Sequence, residues 1–88
     1  MAVYLVTYDL NKETKRPDIL KDIRDGDSWA MLSESSYAIE TNETPRQVYD
    51  RLKKHLDGND NLLVVTMKNP YYGQATKEVI DWLDSKMQ

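Results

Sequence analysis

Residues 2–10 (AVYLVTYDL) are rich in β-branched and aromatic side chains, which is typical of a strand. Side chains alternate between the two faces of a strand, so Val3 and Leu5 point one way and Tyr4 and Val6 the other. Both faces are apolar. This pattern predicts a strand in the middle of a sheet that is covered on both sides.

The next apolar positions recur at helical spacing. Ile19, Leu20 and Ile23 follow Pro17, which suits the first turn of a helix, and Gly26 is typical of a helix end. The pattern therefore predicts a helix between Pro17 and Gly26.

A second helix start carries several agreeing signals. Thr44 can act as the N-cap, Pro45 as the first helical residue, and Gln47 as the returning arm of a capping box. The apolar stripe then continues through Val48, Leu52 and Leu56.

Three further strands and a last helix complete the chain. Residues 28–32 and 37–41 flank the polar turn 33–36, which predicts a hairpin. Residues 61–67 (NLLVVTM) form a continuous apolar run, and residues 76–87 show helical periodicity.

The resulting order, β-α-β-β-α-β followed by an extra α, predicts an α+β class fold. We expect a ferredoxin-like βαββαβ antiparallel sheet with an additional C-terminal helix. The chain is predicted to be one domain over residues 1–88, with a core at 2–67 and the last helix at about 76–87. Both crossover helices lie on one face of such a sheet, so the apolar second face needs a cover. The C-terminal helix can supply part of it, and we expect a second copy of the chain, in a homodimer, to supply the rest.

Composition narrows the function classes. The absence of cysteine excludes disulfides, thiol catalysis and thiolate zinc sites. The net charge of −3 with 31% charged residues lacks the positive excess of a dedicated nucleic-acid binder, although a local basic stripe can still bind phosphate. No leader or membrane-spanning pattern is found, and we expect a cytoplasmic protein with no membrane partner.

Four short segments resemble a known group of proteins. They are Tyr8-Asp9-Leu10 at the end of the first strand, the hairpin strand 36–40 (SYAIE), His55-Leu56-Asp57, and the strand segment 62–65 (LLVV). Over roughly residues 2–67 the chain is similar to small CRISPR-associated endonuclease-like proteins and their VapD-type relatives. It most resembles the short bacterial and phage proteins described as "SinR-like".

The resemblance implies a metal-dependent endonuclease that acts on RNA or DNA as a homodimer. Asp9 matches the family's aspartate at the end of the first strand, which is the proposed catalytic residue and metal ligand. Two copies of this carboxylate would hold Mg²⁺, a hard cation that takes one or two carboxylates together with water and phosphate oxygens.

Two basic groups are candidates for nucleic-acid contacts. One follows the first strand and the other lies on the second helix: Lys12, Lys15 and Arg16; Arg46, Arg51, Lys53 and Lys54. The alternative for both is an ordinary solvated helix face.

Alternatives remain open for the other candidates as well. Asp9 can instead cap the turn after its strand. His55, the only histidine, is expected to flank the apolar stripe of its helix. The alternative function is a catalytically inactive dimeric adaptor of the same fold that binds nucleic acid or protein.

Overall fold

The structure is a computed structural model that describes residues 1–11, 16–26 and 28–87. Within these residues the chain forms four strands, three α-helices and one short 3₁₀ turn, in an α+β arrangement. Their bounds are β1 Ala2–Asp9, α1 Arg16–Ile23, β2 Trp29–Ser33, β3 Ser36–Thr41, α2 Pro45–Leu52, the 3₁₀ turn Lys53–His55, β4 Asn61–Thr66 and α3 Lys77–Lys86. The order of elements along the chain is the predicted one.

The four strands form one antiparallel sheet in the order β2-β3-β1-β4. Strand β3 lies between β1 and β2, and β1 lies between β3 and β4, so each strand-helix-strand unit has another strand inserted into it. β1 is therefore central, as its two apolar faces predict, and β2 and β4 are the edges.

The first face of the sheet carries Tyr4, Val6 and Tyr8 and packs against α1 and α2. Ile19 of α1 and Leu52 of α2 are fully enclosed there. We call this side the helix-covered face. The two tyrosines keep their polar ends satisfied, because each hydroxyl donates to a backbone carbonyl, at 2.6 Å for Tyr4 and 2.7 Å for Tyr8.

Helix α2 begins as its sequence predicts. The Thr44 side chain accepts from the Gln47 amide at 3.1 Å, and the Gln47 side chain accepts from the Thr44 amide at 2.8 Å. Both bonds of a capping box are present, with Pro45 in the first turn. The α-helix ends at Leu52, earlier than the stripe to Leu56 indicates, because the chain tightens into the 3₁₀ turn.

Helix α3 covers one half of the sheet's second face. Val79, Leu83 and Met87 of this helix pack against Val3, Ala30 and Ala38 of three adjacent strands. Two of those strand residues are alanines, which leave room for a helix to approach closely. At the far end, the Lys86 ammonium lies 3.5 Å from the Glu40 carboxylate. The prediction that the C-terminal helix covers part of this face is confirmed.

The other half of the second face has no cover among the described residues. Leu5 and Thr7 of β1 pair there with Val65 and Leu63 of β4, and the latter two side chains are 40% and 63% exposed. We call Leu5, Leu63 and Val65 the open apolar patch. In the part of the chain that the structure describes, no helix is long and apolar enough to cross a bilayer.

Candidate functional site

Asp9 is the last residue of β1 and is exposed to solvent. It pairs with Asn61 at the start of β4, while Thr7, two residues earlier, pairs with Leu63. Side chains two residues apart in a strand share a face, so Asp9 lies on the second face with Leu5 and Thr7. The carboxylate therefore stands at the margin of the open apolar patch, on the half that α3 leaves uncovered.

The turn after β1 is held by a different carboxylate. The Asn11 amide donates to Oδ1 of Asp60 at 2.7 Å, and the Asp57 amide donates to Oδ2 of the same residue at 3.0 Å. Among residues 1–11, 16–26 and 28–87, no hydrogen bond or ion pair involves the Asp9 side chain. The geometry thus gives the turn-capping role to Asp60 and leaves Asp9 available to an external group.

One chain supplies a sparse donor set for a metal ion. The described residues contain no group of three histidine or acidic side chains that could hold a metal. A single exposed carboxylate fits the way Mg²⁺ is held, by one or two carboxylates with water and phosphate oxygens, only when a second carboxylate or the substrate completes the set. The described residues of one chain therefore do not form a preformed Mg²⁺ site, and Asp9 is a single carboxylate that a second ligand would have to complete.

The first basic group is partly outside the described residues, since Lys12 and Lys15 lie there. Arg16 is described and is half-buried at the start of α1. Its guanidinium donates to the Glu34 carbonyl and lies 5.9 Å from the centre of the Tyr8 ring. Burial raises the pKa of the Tyr8 hydroxyl, so this side chain is a neutral donor beside the cation.

The residues of the second basic group differ in how exposed they are to solvent. Arg46 and Lys53 are exposed on α2 and its 3₁₀ extension, and both lie near Asp50, at 3.4 Å and 3.2 Å. The hydrogen bond from Lys53 is the main cause that holds the pKa of the Asp50 carboxyl below its usual range. Exposed pairs of this kind contribute little to stability, so phosphate can compete for both cations.

Arg51 belongs to the scaffold. Its guanidinium lies 3.0 Å from the Glu43 carboxylate, bonds it through two nitrogens, and also donates to the Asp22 carbonyl. These bonds tie α2 to the end of α1 and to the loop before α2. The Arg51 bond is the main cause that lowers the pKa of Glu43.

His55 bonds through Nε2 to the Asp22 side chain. Lys54 approaches the same carboxylate at 3.4 Å, and the His55 bond is the main cause that lowers the pKa of Asp22. His55 lies in the 3₁₀ turn after the α-helix, and its acid partner on α1 was not anticipated. The available signal was topological: two crossover helices on one face are neighbours, so an acid on one can meet a base on the other.

A cleft lies between α2 with its 3₁₀ turn and the start of β4. It has a volume of about 690 Å³ and is lined by Tyr49, Lys53 and Lys54 on one side and by the segment from Leu56 to Leu62 on the other. Tyr49 is 41% exposed, with the Lys53 ammonium 5.8 Å from its ring centre. Asn61 lines this cleft and pairs with Asp9, but the Asp9 side chain points to the second face, away from α2.

Comparison with protein-family models and with curated proteins finds no match for this chain. The candidate site is the exposed Asp9 carboxylate at the margin of the open apolar patch. The cleft beside Tyr49 is a separate feature next to α2, and it carries two lysines, Lys53 and Lys54, and two acids, Asp57 and Asp60.

Proposed function

We propose that this protein is a homodimeric, Mg²⁺-dependent endonuclease that acts on RNA or DNA through Asp9 of each chain. The observation that carries the proposal is the position of Asp9, exposed and without a described partner at the margin of the open apolar patch. A second copy packed on that patch would bring a second Asp9 to the same place.

The open apolar patch supports the assembly. A standard interface takes about 800 Å² from each partner, roughly a seventh of this chain's 5941 Å² of accessible surface. Leu5, Leu63 and Val65 would form its apolar centre and the surrounding strand ends its polar rim. A two-fold dimer uses the same patch on both copies, so each residue contributes twice.

The chemistry follows from the donor set. Two Asp9 carboxylates would hold Mg²⁺, which lowers the pKa of bound water and offsets the charge that develops on a phosphodiester. The cleft beside Tyr49 would place the nucleic acid. Lys53 and Lys54 would contact phosphates, and the exposed face of Tyr49 offers a stacking surface for a base.

The fold assignment belongs to the same proposal. Read from its other edge the strand order is β4-β1-β3-β2, with both split crossovers on one face, and this supports a ferredoxin-like sheet. Kinship with the small CRISPR-associated and VapD-type proteins stays a prediction from residues 2–67, as does a cytoplasmic location.

A second candidate function is a catalytically inactive adaptor of the same dimeric form that binds nucleic acid or protein. Two observations favour it. Each chain brings only one carboxylate, Asp9, to the proposed metal site, and no group of three metal-ligating side chains is found among the described residues. The basic residues of the second group already pair with acids: Arg46, Arg51, Lys53 and Lys54. An adaptor would use the same cleft without turnover.

Cleavage of end-labelled single-stranded RNA and DNA with Mg²⁺ or Mn²⁺ tests the proposal. We expect the wild type to cleave at least one substrate, and the Asp9→Asn protein to lose about a hundredfold or more in rate, since it removes the proposed ligand. Asp81→Asn is the matched control, because Asp81 is an exposed carboxylate on α3 paired only with Lys77 at 2.7 Å. No cleavage by the wild type, or equal rates for the wild type and Asp9→Asn, would contradict the enzyme hypothesis. Retained binding without cleavage would then favour the adaptor.

A further inference from the structure

The β2 edge of the sheet lies in a cleft that the proposed nuclease site does not use. This cleft has a volume of about 460 Å³ and straddles the edge strand. Trp29 and Met31 of β2 border it on the helix-covered face, and Val79 and Trp82 of α3 border it on the second face. We call it the β2 cleft. Trp29 and Trp82 are the only two tryptophans in the chain.

The strand in this cleft presents unpaired backbone groups. The Glu40 amide donates to the Ser28 carbonyl at 3.1 Å, and Ala30 pairs with Ala38 two residues further along. In an antiparallel ladder, hydrogen-bonded pairs alternate with non-bonded ones. The N–H and C=O groups of Trp29 and Met31 therefore point away from β3, and no described residue bonds to them.

The side chains around the edge define what an added strand would meet. A residue placed opposite Ala30 would lie on the second face above a small side chain, against Val79 and Trp82. Its two neighbours would point to the other face, beside Trp29 and Met31, which are 37% and 48% exposed. The cleft thus offers an apolar pocket for one residue and a partly polar border for the next.

The polar border carries the Arg24 guanidinium, and Glu78 lines the cleft on the α3 side. The Arg24 guanidinium lies 5.0 Å from the Trp29 ring centre and 5.3 Å from that of Tyr37, and it donates to the Tyr37 hydroxyl. These contacts hold its plane over the aromatic pair. No carboxylate among the described residues forms an ion pair with it, although it is exposed. A fixed guanidinium with spare donors favours an acidic ligand.

We propose that the β2 cleft binds an extended acidic peptide by strand addition. The peptide pairs antiparallel with β2 through the backbone of Trp29 and Met31, which supplies affinity. An apolar residue opposite Ala30 enters the pocket beside Trp82, and the acidic residue that follows it, opposite Trp29, pairs with Arg24. The complementarity of that acid with Arg24 favours a peptide partner over a second copy of this chain, in which the antiparallel pairing places Met31 opposite Trp29.

Intrinsic tryptophan fluorescence reads out this cleft directly, since both tryptophans border it. The probe is the capped peptide Thr-Thr-Val-Leu-Glu-Thr, with a Lys-for-Glu peptide and a peptide N-methylated at its Val and Glu as comparisons. We expect a saturable fluorescence change with the first peptide, a Kd about fivefold weaker for the Lys peptide, and no binding of the N-methylated one.

Charge reversal tests the role assigned to the cation. Arg24→Glu should reverse the preference toward the Lys peptide, and Arg24→Gln, which removes the charge, should abolish the preference. Arg46→Glu, an equal charge change on α2, should leave the preference unchanged; far-UV circular dichroism checks that each variant is folded. The proposal is overturned by any of three results: no fluorescence change up to about 1 mM peptide, equal affinity for all three peptides, or a change that depends on protein concentration alone and so reports self-association.

Discussion

Substitution of Leu63 by lysine tests the proposed dimer at its most exposed apolar contact. Leu63 is 63% exposed on β4 and points to the same face as Asp9. Complete burial of a leucine side chain stabilises by about 1.5–3 kcal/mol, so about 1–2 kcal/mol remains to be gained when a partner covers the exposed part. A two-fold interface counts this contribution twice, giving about 2–4 kcal/mol for the dimer. Desolvation of the new ammonium groups adds to the loss.

The expected result is a dimer dissociation constant raised by about 30- to 1,000-fold in Leu63→Lys. Sedimentation velocity over a concentration series measures this constant. The fold of the single chain should be little affected, within about 0.5 kcal/mol in the free energy of unfolding, because the position is already largely in water.

Met31→Lys is the matched control. Met31 is 48% exposed, lies on the opposite edge strand and points to the other face. It should leave the dissociation constant within a factor of about three, which is the scatter of an ordinary surface change. A wild type that stays monomeric at high concentration would contradict the proposed dimer. So would a dimer that Met31→Lys dissociates and Leu63→Lys does not, since its interface would then be the β2 edge.

The remaining predictions concern stability. Thr44→Ala removes the cap of α2 and should lower the free energy of unfolding by about 1 kcal/mol in urea titration; an unchanged midpoint would mean that the capping box contributes nothing in solution. Leu52→Ala, at a fully buried position, should cost about 3 kcal/mol, and a loss under 1 kcal/mol would mean that this core is loosely packed. The pKa of Glu43 is lowered in the folded state. Its ionised carboxylate therefore stabilises the fold above the ordinary carboxyl range, and this stabilisation is lost as the pH falls through the folded-state pKa. The urea midpoint of the wild type should fall on acidification, and that of Glu43→Gln should fall less steeply. Equal pH slopes for the two proteins would contradict this.

Much of the fold could be predicted because the decisive signals are local. The apolar residues on both faces of β1 predicted its place in the centre of a sheet, and three residues at the start of α2 predicted its cap and first turn. A capping box needs residues only three positions apart, so the sequence contains the whole interaction. The same is true of strand periodicity.

The side-chain partners could not be predicted in the same way. Arg51 meets Glu43 and the Asp22 carbonyl, and His55 meets Asp22, through contacts that span 8 to 33 positions along the chain. A basic residue on a helix has the same local pattern whether it contacts solvent, phosphate or an acid on the next element. Arg51 therefore could not be separated from the exposed Lys53 by sequence alone, although the structure gives them different surroundings.

The position of α3 links the fold to the proposed site. The apolar stripe of α3 predicts only that this helix covers apolar strand residues. Either half of the second face offers such residues. The alanines at positions 30 and 38 select the half away from Asp9, because a helix packs closest where the strand side chains are small. Larger residues, Leu63 and Val65, remain on the other half with the Asp9 carboxylate beside them. Under the proposed function, α3 thus leaves to a second copy the half of this face on which Asp9 lies.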